Sequence, residues 1–329
     1  EKYVVSKAKF DITGTKLVDD DSELTDKYGE TNTNPYVDTT ANNEDENLNT
    51  KTVERGQKLY YQVWLDTTKF DAANKDNIQT VGITDNYDKD KLTVNASDIK
   101  VYDSVTGADV TTKFDISDNN GVLTANLKDG FTKSLGDAEN TQIIDTTKFE
   151  FGRYYKFDIP ATVKDDVVAG ADIENKAAQV VNYYNPTTKK VEKPNKPTEK
   201  RVNSVPVSVE FNFTKKLEGR ELKAGEFSFV LKDSTGAVVE TVKNDAAGNV
   251  SFSNLSFDNT KVGTHTYTVE EVIPANKEFG MTYDKMKATV TVEVAKNGHT
   301  LTTVTNVTST GGVDANGNAT DGTADKEFN

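Results

Sequence analysis

The chain has 329 residues, a formal net charge of −14, 9% aromatic residues and no cysteine. So acidic a balance lacks the positive footprint that phosphate backbones require, which excludes nucleic acid as a partner. Without thiols there are no disulfides, thiolate nucleophiles or sulfur-ligated metals, and His265 and His299 alone cannot build a multi-histidine centre. No run of about 18 apolar residues is present, so no membrane insertion is expected.

In chain order, the opening segment reads as a strand in which Lys7 and Lys9 share one face while Val4, Ala8 and Phe10 take the other. Residues 20–50 form a long acidic, Asn-rich insertion. Strand signals follow at Leu59–Leu65, Ile99–Asp103, Tyr154–Ile159 and Gln179–Tyr184, then through most of 205–307. Asn, Asp and Gly clusters such as Asp118-Asn119-Asn120-Gly121 and Ala247-Gly248-Asn249 supply the turns between them. Amphipathic helices of any length are missing; short helical turns are expected in 71–78 or 163–169. Many short strands punctuated in this way predict an all-β chain of tandem sandwiches. The lysine-rich stretch 186–200 reads as a solvated connection rather than a binding patch. The abrupt start and stop in strand-like sequence suggest a piece of something longer.

One lysine sits where a lysine is costly. Val205, Val207, Val209, Phe211 and Phe213 alternate along a strand, and Lys215 continues the series, which points it into the core. A buried ammonium is unfavourable unless it is paired, neutralised or consumed by chemistry. Glu271 falls in phase with Tyr267 and Val269 and is a second buried-charge candidate. A lysine and a glutamate on core faces suggest a self-made Lys–Asn isopeptide bond.

The second half carries three ordered blocks: Phe211 to Phe229, Asn244 to Phe252, and Tyr267 to Val272. Together they resemble the pilin-type isopeptide-linkage domains of Gram-positive fimbrial proteins, relatives of the collagen-adhesin B-type repeats. The resemblance implies that Lys215 bonds to an asparagine in the last strand with Glu271 as catalyst. The family ends in Phe-x-Asn, which from Phe328 places the reactive residue one position past Asn329. Asn329 is the terminal candidate within the chain, with the opposite parity to Phe328. Either the closing strand carries a bulge, or the partner follows Asn329.

The first half resembles the C-terminal domains of streptococcal antigen I/II-type adhesins. The carriers are Arg55 to Asp66, Asp85-Asn86-Tyr87-Asp88, Ile173 to Gln179 and Val202 to Pro206. By that resemblance Asp66 is the catalytic carboxylate and Asn203 the acyl donor, with Lys7 preferred over Lys9 as nucleophile. Trp64, in phase with Tyr60 and Asp66, is expected in the core around the reaction site. The boundary between the two immunoglobulin-like domains falls at 203/204.

Calcium is a possible cofactor at Asp85, Asp88 and Asp90, as relatives of this type carry it, although a solvated turn also explains the cluster. Asp314 to Asn318 has the acidic opening of a calcium loop, yet Ala319 stands where that loop needs glycine, so a hairpin turn is expected. Neither a Ser-His-Asp triad nor a Gly-rich phosphate loop is present. The chain is therefore expected to be no enzyme beyond a single self-crosslinking event. It is expected to be an extracellular, wall-anchored adhesive or stalk segment. Its partners are neighbouring domains and a host surface, extracellular or salivary protein or glycan; loops of the first domain are the alternative binding surface.

Overall fold

In a computed structural model, residues 2–5, 48, 51–68, 70, 77–197 and 201–329 are described. Lys7 and Lys9 lie outside the described residues. The chain divides into two compact units, Glu1–Val205 and Pro206–Asn329. Both are β-sandwiches of immunoglobulin-like type, and the described helical content is limited to short 3₁₀ turns.

The first unit contains β1 (Lys2–Val5), β2 (Lys58–Asp66), β3 (Ile78–Tyr87), β4 (Leu92–Val94), β5 (Lys100–Asp103), β6 (Phe114–Asn119) and β7 (Val122–Leu127). There follow β8 (Thr132–Ser134), β9 (Gln142–Ile144), β10 (Tyr154–Val163), β11 (Asp172–Asn185), β12 (Lys190–Glu192), β13 (Asn195–Pro197) and β14 (Arg201–Ser204). One sheet runs β1-β2-β10, with β4 and β5 end to end on the far side of β10. The other runs β11-β3-β7-β6, and β14, β13 and β12 line up along the free edge of the long β11. The segment read as a solvated connection therefore returns along β11 in short steps. The helical turn expected in 163–169 is absent: β10 continues through Val163 and the chain then reverses through turns.

Between the sheets lie Tyr61, Val63 and Leu65 of β2, Val81 and Ile83 of β3, Phe157 and Ile159 of β10, and Ile173 and Ala177 of β11. Phe149 stacks on Tyr155 at 4.6 Å and Phe114 meets Phe157 edge-on at 5.2 Å. Such aromatic pairs add to their area burial.

The second unit contains β15 (Val207–Val209), β16 (Asn212–Lys215), β17 (Ser228–Lys232), β18 (Val238–Lys243), β19 (Asn249–Ser251) and β20 (Leu255–Phe257). It closes with β21 (Gly263–Glu271), β22 (Lys287–Asn297), β23 (Thr300–Thr310) and β24 (Glu327–Phe328). The sheet β18-β17-β21-β22-β23 covers a second face made of β15-β20 and β19-β16-β24. All these pairings are antiparallel except one: β24 lies parallel to β16, with Lys215 opposite Phe328. Phe213, Phe229 and Phe328 cluster at the centre, with ring centroids 5.1 and 5.9 Å from Phe328.

Candidate functional site

The alternation that predicted Lys215 holds along β16. Phe213 and Lys215 are buried while Asn212 and Thr214 face out. Lys215 Nζ stands 3.0 Å from Glu271 Oε1, with the two side chains 1% and 0% exposed. The same Nζ lies 4.4 Å from the centroid of the Phe227 ring, so its surroundings are one carboxylate and an aromatic face. Glu271 ends β21 opposite Phe229. Its second oxygen, Oε2, accepts the backbone N–H of Asp284 at 2.5 Å. Burial pushes the Glu271 carboxyl above its ordinary value, an effect that the neighbouring Lys215 only partly offsets.

Sequence reasoning missed Asp284. This buried residue gives its N–H to Glu271, and its Oδ2 accepts the backbone N–H of Asn329 at 2.6 Å. One residue thus ties the carboxylate to the closing strand. No periodic signal marks it, because it sits in an irregular segment between β21 and β22.

The Asn329 side chain does not turn to Lys215. Its Nδ2 donates to Val313 O at 2.8 Å, on the side away from the core. Phe328 is the inward residue, fully buried. By alternation the next inward position of this strand follows Asn329.

In the first unit the predicted carboxylate is displaced. Trp64 is buried, but Gln62, Trp64 and Asp66 occupy the face of β2 opposite to Tyr61, Val63 and Leu65, outside the cluster between the sheets. Asp66 is only half-buried and Oδ1 accepts both the N–H and the hydroxyl of Thr68 at 2.8 and 2.5 Å, a local turn cap at the end of the strand. Asn203 is fully buried, and Nδ2 donates to Leu48 O and to Lys51 O, the latter at 3.0 Å. Those bonds fasten β14 to the segment before β2. Asp66 is not brought to Asn203: its N–H donates to Gln179, whereas Asn203 pairs with Ile173. Six residues along β11 amount to roughly 20 Å.

A different pair meets in that core. Asp85 is 0% and Asn175 1% exposed. Asp85 pairs with Ala177 across β3 and β11, and Asn175 is two residues along on the same face, a diagonal within side-chain reach. The Tyr61 hydroxyl faces both, and its pKa is raised first by burial and then by the Asp85 charge. Asp85 therefore does not join Asp88 as a calcium pair. Asp88 lies beyond the strand end and pairs with Lys91 at 3.2 Å, while Asp90 is exposed. Among the described residues no group of three or more metal-ligating side chains occurs, and no helix is long and apolar enough to cross a membrane.

Comparison with known proteins agrees with the two units. Residues 37–195 match the cell surface antigen I/II C2 terminal domain, and residues 211–325 match the Spy0128-like isopeptide containing domain. The aggregation substance of Enterococcus faecalis is 29% identical over 154 residues, which cover 41% of this chain but only 11% of that protein. Among solved structures, BcpA, the major pilin subunit of Bacillus cereus, aligns over 84% of this chain and 66% of its own, with 17% identity and a TM-score of 0.39. The C-terminal fragment of the major pilin GBS80 of Streptococcus agalactiae covers 74% and 87%, with 14% identity and a TM-score of 0.37. Each unit is thus similar to a domain type of Gram-positive surface adhesins and pilins, families that are structural rather than catalytic and that work at the cell surface.

Proposed function

We propose that this part of a Gram-positive surface adhesin or pilin is a stalk element stiffened by amide bonds that each unit makes for itself. The observation that carries the reading is the buried contact of Lys215 with Glu271. In a dry site the pair can exchange a proton, leaving a neutral amine as nucleophile and a protonated carboxyl. That carboxyl can hydrogen-bond an asparagine carbonyl and pass protons to departing ammonia. Holding the reactants together replaces roughly 7–11 kcal/mol of barrier. The product is neutral, so the cost of the buried charges disappears.

The acyl donor in the second unit is assigned to the inward position that follows Asn329. Asn329 itself would reach Lys215 only if the strand slipped by one residue. In the first unit the carboxylate and donor are assigned to Asp85 and Asn175, with Lys7 or Lys9 as nucleophile. What supports Asp85 over Asp66 is burial on the inward face. What supports Asn175 over the equally buried Asn203 is its place diagonal to Asp85, whereas the Asn203 carboxamide is held by Leu48 O and Lys51 O.

In the second unit such a bond would tie β16 to the closing strand and carry tension directly. In the second unit β16 and β24 are parallel neighbours, so opposed pulling on them loads the crosslink instead of the sheet hydrogen bonds. As part of an adhesin, the chain would meet neighbouring domains and host or other surface partners.

Intact mass tests the reading. With an asparagine appended after Asn329, the protein should weigh one ammonia less for the second unit than its sequence requires, and Glu271→Ala should restore that ammonia. An unmodified mass in a folded protein with the appended asparagine would refute it.

A further inference from the structure

The sheet β1-β2-β10 is buried on the face that points away from the core of the first unit, and that face carries reactive groups. Gln62 and Trp64 on β2 sit directly opposite Asp158 and Lys156 on β10, and Tyr102 on β5 flanks Lys156 from the other side. Lys156 is 1%, Asp158 4% and Gln62 0% exposed. Lys156 Nζ lies 3.6 Å from Asp158 Oδ2, with the rings of Tyr102 and Trp64 centred 5.2 and 6.0 Å from it. Gln62 is stranger still: among the described residues neither Nε2 nor Oε1 has a hydrogen-bond partner, although both are shielded from solvent. Buried carboxamides are normally satisfied, and one left unsatisfied at both ends calls for a reason.

We propose that Lys156 and Gln62 are the precursors of a further amide crosslink, joining β10 to β2, with Asp158 as its proton shuttle. This rests on the amide chemistry proposed for Lys215 and applies it to a residue set with glutamine as the acyl donor. The three groups are an amine, a carboxylate and a carboxamide on one dry face between two aromatic walls. Gln62 is diagonal to Lys156 across neighbouring strands, where long side chains meet.

The step balances without an outside reagent. The Lys156 ammonium gives a proton to Asp158, and the freed amine attacks Cδ of Gln62. The Nζ–Cδ bond forms and the Cδ–Nε2 bond breaks. Two of the three ammonium protons leave with the departing nitrogen, which exits as ammonium ion, and Asp158 returns to the carboxylate. Nothing is oxidised or reduced. The crosslink removes the buried charge of Lys156 and the primary amide of Gln62 together.

Tryptic mapping of the full chain decides it. Trypsin cuts after Lys58, Lys69, Arg153, Lys156 and Lys164. An acylated Lys156 resists cleavage, so the expected product joins the 59–69 peptide to the 154–164 peptide at one ammonia below their sum. Gln62→Leu, which replaces the carboxamide with an apolar side chain of similar size, and Asp158→Asn should each yield the linear peptides with cleavage after Lys156. Linear 59–69 and full cleavage after Lys156 in the wild-type protein would overturn the proposal, as would a branched species that survives Gln62→Leu. Peptides containing Lys215 are scored separately, so failure here is distinguishable from failure of the reading on which it rests.

Discussion

Lys215 is opposite Phe328 in parallel register, and beside it Nζ stands 3.0 Å from Glu271 Oε1. The lysine, the carboxyl and the closing strand therefore share one enclosed point of the second unit. Replacing Glu271 by alanine in the unlinked chain strips the ammonium of the carboxylate beside it while Phe227 still shields it from water. Breaking a buried pair in this way costs about 3–5 kcal/mol. Chemical denaturation of the second unit should show a loss of that size for Glu271→Ala, and a loss under about 1 kcal/mol would mean that water reaches Lys215.

The backbone around Lys215 gives a second test. Its N–H donates to Gly248 O at 2.7 Å. Gly248 has φ +89°, and a Cβ there would stand 2.3 Å from Lys215 O. Gly248→Ala meets both a left-handed backbone and a backbone clash. It should destabilise the second unit by more than about 1 kcal/mol and slow ammonia loss in the protein carrying the appended asparagine. An unchanged denaturation midpoint would show that the hairpin yields freely.

Much of the second unit was legible because its strands alternate cleanly. From Val205 through β15 and into β16 an apolar alternation leads straight to Lys215, and the structure buries it. The first unit misled because β2 and β10 are buried on both faces. Period-2 counting cannot then tell which face meets the core, so Trp64 drew Asp66 toward a core that it does not line. The signal for Asp85 was nevertheless present: Val81, Ile83, Asp85 and Tyr87 share a phase, as do Ile173, Asn175 and Ala177. Asp-Asn-Tyr-Asp looked like a turn, which hid a strand that runs through Tyr87. Asp284 carried no signal at all, since its role depends on a backbone N–H and on a contact across 45 residues.

Asp284 should behave as a positioning residue. Its carboxylate accepts the backbone N–H of Asn329 and of Met286 at 2.6 and 2.7 Å. Asp284→Ala frees the end of β24 without touching Lys215 or Glu271. In the protein with the appended asparagine, ammonia loss should slow by about ten-fold, the effect of losing roughly 1.4 kcal/mol of alignment, and the final mass should still be reached. A normal rate would show that Phe328 packing alone holds the strand.

Burial raises the Glu271 carboxyl, and the sign of its pH effect follows. The native state holds this proton more tightly than the unfolded chain. The stability it contributes is therefore fully present below the ordinary value of 4.5 and is lost as pH rises through the raised one. Glu271→Gln cannot titrate. In the unlinked chain, the unfolding free energy of wild type minus that of Glu271→Gln should fall with rising pH above 4.5, by at most about 1.4 kcal/mol per pH unit. A difference that grows with pH would mean that Lys215 dominates and holds the carboxylate ionised.

The last test separates Asp85 from Asp66. Asp66→Ala removes a turn cap on Thr68, a loss of about 1 kcal/mol, and leaves the core of the first unit intact. Its crosslink should form as before. Asp85→Asn preserves shape at a fully buried position but cannot carry the proton, so the ammonia loss that belongs to the Asn175 bond, scored apart from peptides containing Gln62 and Lys156, should stop. The unlinked variant also gives up the restriction that a closure of well over 100 residues places on the unfolded chain, about 5 kcal/mol if disulfide loop entropy transfers. Its first unit should consequently unfold at a much lower denaturant concentration than that of Asp66→Ala. Mass spectra and denaturation curves of the two variants can be read side by side. Full ammonia loss in Asp85→Asn, or its absence in Asp66→Ala, would return the catalytic role to the end of β2.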